Sequence, residues 1–585
     1  MCGIAGAVHT TGFSRGDISQ MLDSIAYRGP DAQAVVEAGP ALLGNARLEV
    51  VDLAGGGQPM ANADETVWVV CNGEIYNFVE LREELEAKGY RFKSRSDTEV
   101  LVHLWRDRGP AMLQDLIGMF AFCLWDKCEN RGILARDRHG LKPCYVMETH
   151  GGLVFASEIK AILGLPGVDP AVDEIGLNLV HSFNYCLPPR TCYEGVSHLE
   201  PGCYLEFNGA GSWQKHRYWT WSPADETSPV DPEAFGALLD DAVRLQMRFD
   251  VKGCMFLSGG VDSSIIAAHL RDQWNEARMM AFGLDCRVEG FSEFGLAQSV
   301  ADMFEIDLHP VTYDHTIVPD LQQTVLHHTD QPHGDFSFFL FNVLCRAARD
   351  AGAVVAFNGD GPDEFLGGYN RSAGYTIPAG RGAFGASDHY AEICFMPDPV
   401  RDQVLTGDFR RLLPDPGEAL QEKFAHWHDL APVNQVAGYE STALLCGNNL
   451  IKTDRMGSAA SLEGRSPFLD HRVAEMLSRV PVGQKIVNGV GKHFLKEYGL
   501  RFFDRDHMFR GKTMPTMPIG EWIKDPLRDW AHETLKALDP GRYDVRGAMA
   551  IFDEHVSGRV NHTRPLRTLL MSSAWLKQRA SGAAR

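Results

Sequence analysis

Apolar and polar positions change their rhythm near residue 221 of this chain. Before that point the apolar runs are short and bounded by turn residues, so 2–9, 67–71, 119–125 and 132–135 predict strands. The dipeptide Asn72-Gly73 predicts a turn that ends the second of them. Residues 81–88 predict a charged helix, and Asp97 stands at a helix N-cap position ahead of Thr98-Glu99-Val100. This mixture predicts an α+β domain with sheets packed between helices. Between Trp221 and Pro232 the chain turns polar with isolated prolines, which predicts a linker dividing a domain of residues 1–220 from one of residues 232–585.

Beyond the linker, strand and helix alternate. Residues 253–257, 278–284 and 353–357 predict strands, and 263–271, 293–303 and 338–350 predict helices. Such alternation predicts a doubly wound α/β domain with a parallel sheet, followed beyond Gly380 by a mainly helical part.

Length and charge narrow the function. A chain of 585 residues exceeds what one core holds. A formal charge of −21 argues against a nucleic-acid partner, because phosphate contacts need clustered Lys and Arg. No apolar run reaches the length of a membrane span, so no membrane partner is expected. Thirteen scattered cysteines without a CxxC pair predict reduced, mostly buried thiols and a cytoplasmic location. His327, His328 and His333 lack a regular metal-ligand spacing and predict a surface or loop role.

Three features carry chemistry. If Met1 is removed, Cys2 offers a thiol and an α-amino group on one carbon, and the amine can serve as base for the thiol. The segment Met1-Cys2-Gly3-Ile4-Ala5-Gly6 leaves no room for a signal peptide ahead of it. In the second domain a strand ending at Leu257 runs into Ser258-Gly259-Gly260-Val261-Asp262-Ser263-Ser264 and then a helix. The glycines admit close approach of an anion, the hydroxyls donate to it, and the helix N-terminus adds unsatisfied N–H groups. The Walker lysine is missing, so this is a phosphate cradle of another kind. A second cluster, Asn358-Gly359-Asp360-Gly361-Pro362-Asp363-Glu364, also follows a strand. Loops after parallel strands line one crevice, so Asp262 and Asp363 are expected to share Mg²⁺, a hard cation suited to carboxylates and phosphates.

Together these motifs resemble the glutamine-dependent asparagine synthetases over nearly the whole chain. The first domain resembles class II glutamine amidotransferases at Cys2-Gly3-Ile4, Arg28-Gly29-Pro30-Asp31, Arg47-Leu48, Asn72 to Asn77, Ser96 to Glu99, Ala135 to Arg138, Leu141-Lys142-Pro143 and Phe155 to Glu158. The second resembles the asparagine synthetases at SGGVDSS, GDGPDE, Asp454-Arg455-Met456, Ser461 to Arg465 and Pro467 to His471, and SGGVDSS by itself resembles the pyrophosphate loop of N-type ATP pyrophosphatases. The resemblance implies an N-terminal nucleophile fold with αββα layers. It implies that Cys2 attacks the glutamine amide, with the Asn72 side chain and Gly73 N–H as oxyanion hole. Arg47 would clamp the glutamine α-carboxylate, and Asp97 with Glu74 would hold the α-ammonium.

In the second domain the resemblance implies that an acceptor carboxylate attacks the ATP α-phosphorus, and that ammonia passing internally from Cys2 displaces AMP. ATP would lie on Leu257, Ser258, Gly259, Gly260, Asp262, Ser263, Ser264, Asn358 and Gly359, with Lys492 stabilising phosphate charge. Asp360 and Glu463 would take a proton from ammonia or orient the acceptor, and a homodimer is implied. The chain departs from the family pattern at Asn358, at Pro362, along Asp330-Gln331-Pro332-His333-Gly334-Asp335-Phe336, and at Lys512-Thr513-Met514-Pro515. These departures fall around the expected acceptor pocket. Aspartate and another carboxylic acid, such as a biosynthetic intermediate, therefore both stay open as acceptors. A ring-closing ligase or a degenerate binding protein is opposed by Cys2, Arg47, Asn72 and Asp97 together.

Overall fold

The computed structural model describes residues 2–581 apart from 11, 226–227, 275–277, 289, 376–383 and 512–516. Residues 512–515, where the sequence departs from the family pattern, thus lie outside the described residues. The first domain contains β1 (Gly3–Val8), β2 (Ala32–Ala38), β3 (Ala41–Arg47), β4 (Met60–Ala61), β5 (Val67–Ile75), β6 (Gly118–Asp126), β7 (Arg131–Arg136), β8 (Tyr145–Thr149), β9 (Gly152–Ala156), β10 (Val196–His198), β11 (Cys203–Asn208) and β12 (Trp213–Arg217). Among the described residues they form two six-stranded sheets, ordered β10-β8-β9-β1-β3-β2 and β12-β11-β7-β6-β5-β4.

The two-residue period of a strand decides what each face meets. In β1, Ile4 and Val8 enter the core between the sheets, while Ala5 and Ala7 pack with Ile18, Met21 and Leu22 of the helix Arg15–Asp23. In β5, Val70 faces that same core, while Val69 and Cys71 face the helices Phe78–Ala87 and Glu99–Arg108. The layers are therefore helix, sheet, sheet, helix.

Three local expectations are corrected here. Asn72-Gly73 does not turn: β5 runs through both, with Asn72 opposite Ala121 and Gly73 opposite Phe120. The long partner strand β6 keeps the ladder going, so the turn preference of the dipeptide is overridden. Thr98, not Asp97, precedes the helix Glu99–Arg108, and the Asp97 carboxylate instead accepts the Ile75 N–H at 2.8 Å. Of the three histidines, His327 is exposed and His333 lies in a loop, although buried, but His328 is buried in a helix. The helix Ile317–Thr329 turns His328 edge-on to the Tyr27 ring, with centroids 4.4 Å apart.

The polar stretch 221–232 is docked along its described residues. Trp221 is buried and stacks on Phe365 at 4.7 Å, and Asp225 accepts the Ala431 N–H and the Asn434 amide. Asp231 then caps the helix Pro232–Gln246, accepting the Glu233 N–H, with proline at its first turn.

The second domain holds a five-stranded parallel sheet built from β13 (Gly253–Phe256), β14 (Met280–Cys286), β15 (Asp307–Tyr313), β16 (Val355–Phe357) and β17 (Glu463–Arg465). Its order is β15-β14-β13-β16-β17, so β13 pairs with β14 on one side and β16 on the other. The strand order reverses between β13 and β16, the place where such sheets open a ligand crevice. Later residues are mainly helical, including a π-helical stretch Glu440–Asn449 that leads into the helix Leu450–Ala459. No helix among the described residues is long and apolar enough to cross a membrane. All thirteen cysteines are unbridged, and only Cys128 is exposed.

Candidate active sites

Cys2 lies just ahead of β1, buried at the end of the first sheet, and its Sγ donates to the Leu48 carbonyl at 3.8 Å. Burial pushes the thiol pKa up, partly offset by that bond. The Cys2 carbonyl accepts from Arg28 Nε at 3.1 Å. Asn72 comes from the facing sheet, and its Nδ2 reaches Ser157 Oγ at only 3.5 Å, a long bond that leaves the amide able to donate elsewhere. Ser157 Oγ in turn accepts the Ile4 N–H at 2.9 Å. The two sheets thus bring Cys2, Asn72 and Gly73 to one end of the sandwich.

Gly73 is required sterically. Its φ is +142°, and a Cβ placed there would meet the Met119 carbonyl oxygen at 1.9 Å. Gly73→Ala is expected to shift this stretch of ladder and lower glutamine hydrolysis by about 10²-fold, the scale of losing one oxyanion donor. Glutamate release by the folded variant checks this. An equal fall in ammonia-driven turnover would mean that the strand, not the oxyanion position, had failed.

Glu74 and Asp97 form a buried acidic pair beside this site. Burial is the largest cause raising each pKa, and the charge of Glu463 adds to both. Two carboxylates held against their preferred ionisation suit an incoming cation. Arg47 ends β3 with its fork on a loop: Nη1 bonds Glu49 at 3.0 Å and the Leu53 carbonyl at 3.2 Å, while Nη2 bonds the Asp52 carbonyl at 2.8 Å.

The phosphate cradle forms as its sequence requires. Gly259 has φ +72°, and a Cβ there would lie 2.5 Å from the Ala297 N, so only glycine fits. The helix Val261–Arg271 starts from Gly260, and Ser258 and Ser263 hydroxyls meet at 3.0 Å. Leu257 is buried beneath the loop, its N–H bonded to the Phe282 carbonyl. Ser264 Oγ lies 3.2 Å from His507 Nε2, and Arg510 bonds the Gly259 carbonyl. His507 and Arg510 escaped the sequence reading: they belong to no motif, and only the fold carries them to the loop.

The second loop abuts the first. A Cβ on Gly359 would lie 2.9 Å from the Ser263 N. Asn358 Oδ1 accepts from Ser466 Oγ at 2.6 Å and from the Asp360 N–H at 3.1 Å. Asp262 and Asp363 converge, and Lys492 Nζ sits between them at 2.7 and 2.9 Å. Burial alone would lower the Lys492 pKa, but the two carboxylates outweigh it and hold it raised. Asp360 is held by Thr453 Oγ1 at 2.8 Å, a partner the sequence reading missed. Glu463 pairs instead with Arg465 at 3.0 Å, and Arg465 also reaches Glu74 at 3.4 Å. Although burial opposes it, Arg465 and Lys142 help to hold the Glu463 pKa down to about 2. Glu463 thus lies next to Glu74 and Cys2, on the glutaminase side.

Two family models match this chain: "Glutamine amidotransferase domain" over residues 1–219 and "Asparagine synthase" over residues 234–577, more than half of the chain. The chain belongs to the asparagine synthase family. It is 29% identical to Asparagine synthetase [glutamine-hydrolyzing] 1 of Bacillus subtilis, over 98% of this chain and 96% of that protein. It is 30% identical to a putative asparagine synthetase of Mycobacterium tuberculosis over 94% and 91%. It is 24% identical to Amidase chyE of Penicillium rubens over 87% and 83%. Membership makes this synthase a glutamine-hydrolysing carbon–nitrogen ligase with an N-terminal nucleophile domain and an ATP-pyrophosphatase domain.

Proposed function

We propose that this asparagine synthase family member adenylates a carboxylic acid with ATP and amidates it with ammonia cut from glutamine at Cys2. The observation that carries this reading is the pair of loops at the switch point, closed over a lysine clasped by two carboxylates. In the first domain the Cys2 thiol attacks the glutamine amide carbon, its proton passing to the α-amine freed by removal of Met1. Asn72 Nδ2 and the Gly73 N–H stabilise the tetrahedral oxygen. The α-amine returns the proton to the leaving nitrogen, collapse releases ammonia and leaves a thioester, and water hydrolyses that thioester to glutamate and the free thiol. Glu74 and Asp97 take the glutamine α-ammonium. Arg47 takes the α-carboxylate by exchanging part of its hold on the 49–53 loop.

In the second domain residues 257–264 with Asn358 and Gly359 cradle ATP. Asp262 and Asp363 converge on one cation position and supply the hard oxygen donors that Mg²⁺ prefers, so they would hold it, where it would neutralise pyrophosphate charge. Lys492 shares that work. Asp360 orients the acceptor end through its bond to Thr453, while Glu463, held ionised, orients the nitrogen arriving from the first domain. A homodimer belongs to the same proposal and is tested by light scattering.

Aspartate is the default acceptor. Another carboxylic acid is the second reading, favoured by the amidase names of two relatives and by the departures at Asn358, Pro362 and His333. Pyrophosphate release with ATP, Mg²⁺ and glutamine, with and without aspartate, tests the choice. Aspartate-dependent pyrophosphate with asparagine as product supports the default. Glutamine hydrolysis indifferent to aspartate supports the second reading and directs a screen of carboxylic acids.

A further inference from the structure

A buried ionic network joins the two domains at the back of both sites. Arg28 bonds both oxygens of Asp454 at 2.9 and 3.0 Å and Glu158 at 2.7 Å. Arg455 forms ion pairs with Glu158 at 2.7 Å and Asp330 at 3.5 Å. Lys160 reaches Asp330 at 2.9 Å and also pairs with Glu158. Three cations and three carboxylates thus balance, and all six side chains are buried. Tyr27 closes the set, donating to Glu158 at 2.5 Å, while Ser461 Oγ donates to the Tyr27 carbonyl at 2.7 Å.

Stability does not account for this arrangement. Desolvating six charges costs about as much as their attraction returns, and apolar packing of similar volume does as well or better. What the network does supply is fixed geometry. On one side Arg28 holds the Cys2 carbonyl, and Glu158 directly follows Ser157, the partner of Asn72. On the other side Asp454 directly follows Thr453, which holds Asp360, and Asp330 opens the loop 330–336 at the acceptor end. Each terminus of the network is therefore one residue or one bond from a group that handles substrate.

We propose that through this network the second domain holds Cys2 in place, with Asp454 as a positioning residue for Cys2 that acts through Arg28. The inference rests on the amidotransferase reading above. Glutamine itself is held by Arg47, Glu74 and Asp97, outside the network, so loosening Arg28 misplaces the nucleophile without releasing the substrate. The loss should then appear in kcat rather than KM.

The test is Asp454→Asn, with Asp454→Glu as the charge-retaining rescue. Asp454→Asn is expected to lower the glutamine-driven kcat about 10-fold or more, the scale of a small misplacement of a reacting group. The glutamine KM should stay within about threefold, and ammonia-driven pyrophosphate release should change little. Asp454→Glu is expected to restore most of the loss. If both nitrogen sources fall in parallel, or neither falls, the link is refuted and the network is structural only. If Asp454→Asn does not fold, Glu158→Gln, which removes the other carboxylate from Arg28, enters the same assay with the same expectations. Cys2→Ala runs alongside. Glutamine-driven turnover surviving in it would sink the amidotransferase reading, whereas its loss beside a normal Asp454→Asn would sink only the inference.

Discussion

Cys2→Ala is expected to lose glutamine-driven pyrophosphate release by about 10³-fold or more, because the sulfur that forms the thioester is removed. Turnover driven by ammonium salts should persist within about threefold of the parent. The two outcomes follow from where the thiol sits. Cys2 is buried at the end of β1 in the first domain, whereas the phosphate loops lie at the switch point of the second sheet. Removing Sγ deletes a bond to the Leu48 carbonyl of 3.8 Å, a weak contact, so little stability is lost. The raised thiol pKa adds a condition. A buried thiol is mostly protonated at neutral pH, so the parent enzyme needs the α-amine as base, and a form retaining Met1 should hydrolyse glutamine poorly. Glutamate and pyrophosphate measured side by side check both statements. Persistent glutamate production by Cys2→Ala would assign the nucleophile elsewhere.

Much of this was legible in the sequence, and the failures have local causes. The strand–loop–helix at residues 257–264 could be read because glycine, hydroxyl and helix N-terminus chemistry is encoded in adjacent residues. The same holds for residues 358–364, and the switch-point rule alone places the two loops together. Asn72-Gly73 misled because a dipeptide preference amounts to little beside a nine-residue strand pairing with β6. The buried His328 misled because burial there is decided by Tyr27, which is distant in sequence. His507, Arg510 and Thr453 are distant from the groups they hold by 243, 251 and 93 positions, so no spacing pattern could announce them. The Arg28–Asp454 pair spans 426 positions and is visible only in three dimensions.

Lys492→Met is expected to remove pyrophosphate release with either nitrogen source by about 10²–10³-fold, the scale of losing one preorganised charge on a developing oxyanion. Glutamine hydrolysis at Cys2 should continue, which separates this variant from Cys2→Ala. Methionine keeps the length of the stem and removes only the charge. That charge has two tasks at different stages. Without ATP, Lys492 Nζ lies 2.7 Å from Asp262 and 2.9 Å from Asp363, where it screens one carboxylate from the other. On the function proposed above, Asp262 and Asp363 would hold Mg²⁺ when ATP binds, and Lys492 would turn to phosphate. Lys492→Met therefore leaves two carboxylates in close approach with no cation between them, and the ligand-free enzyme should lose stability. Removing one partner of a buried ion pair costs about 3 kcal/mol, reduced here because both aspartates are partly exposed. Thermal melts should show that loss, and Mg²⁺ alone should recover part of it by taking the vacated position between the carboxylates. Were Lys492→Met to release pyrophosphate within about tenfold of the parent, the phosphate charge would have to be met by Arg510 instead.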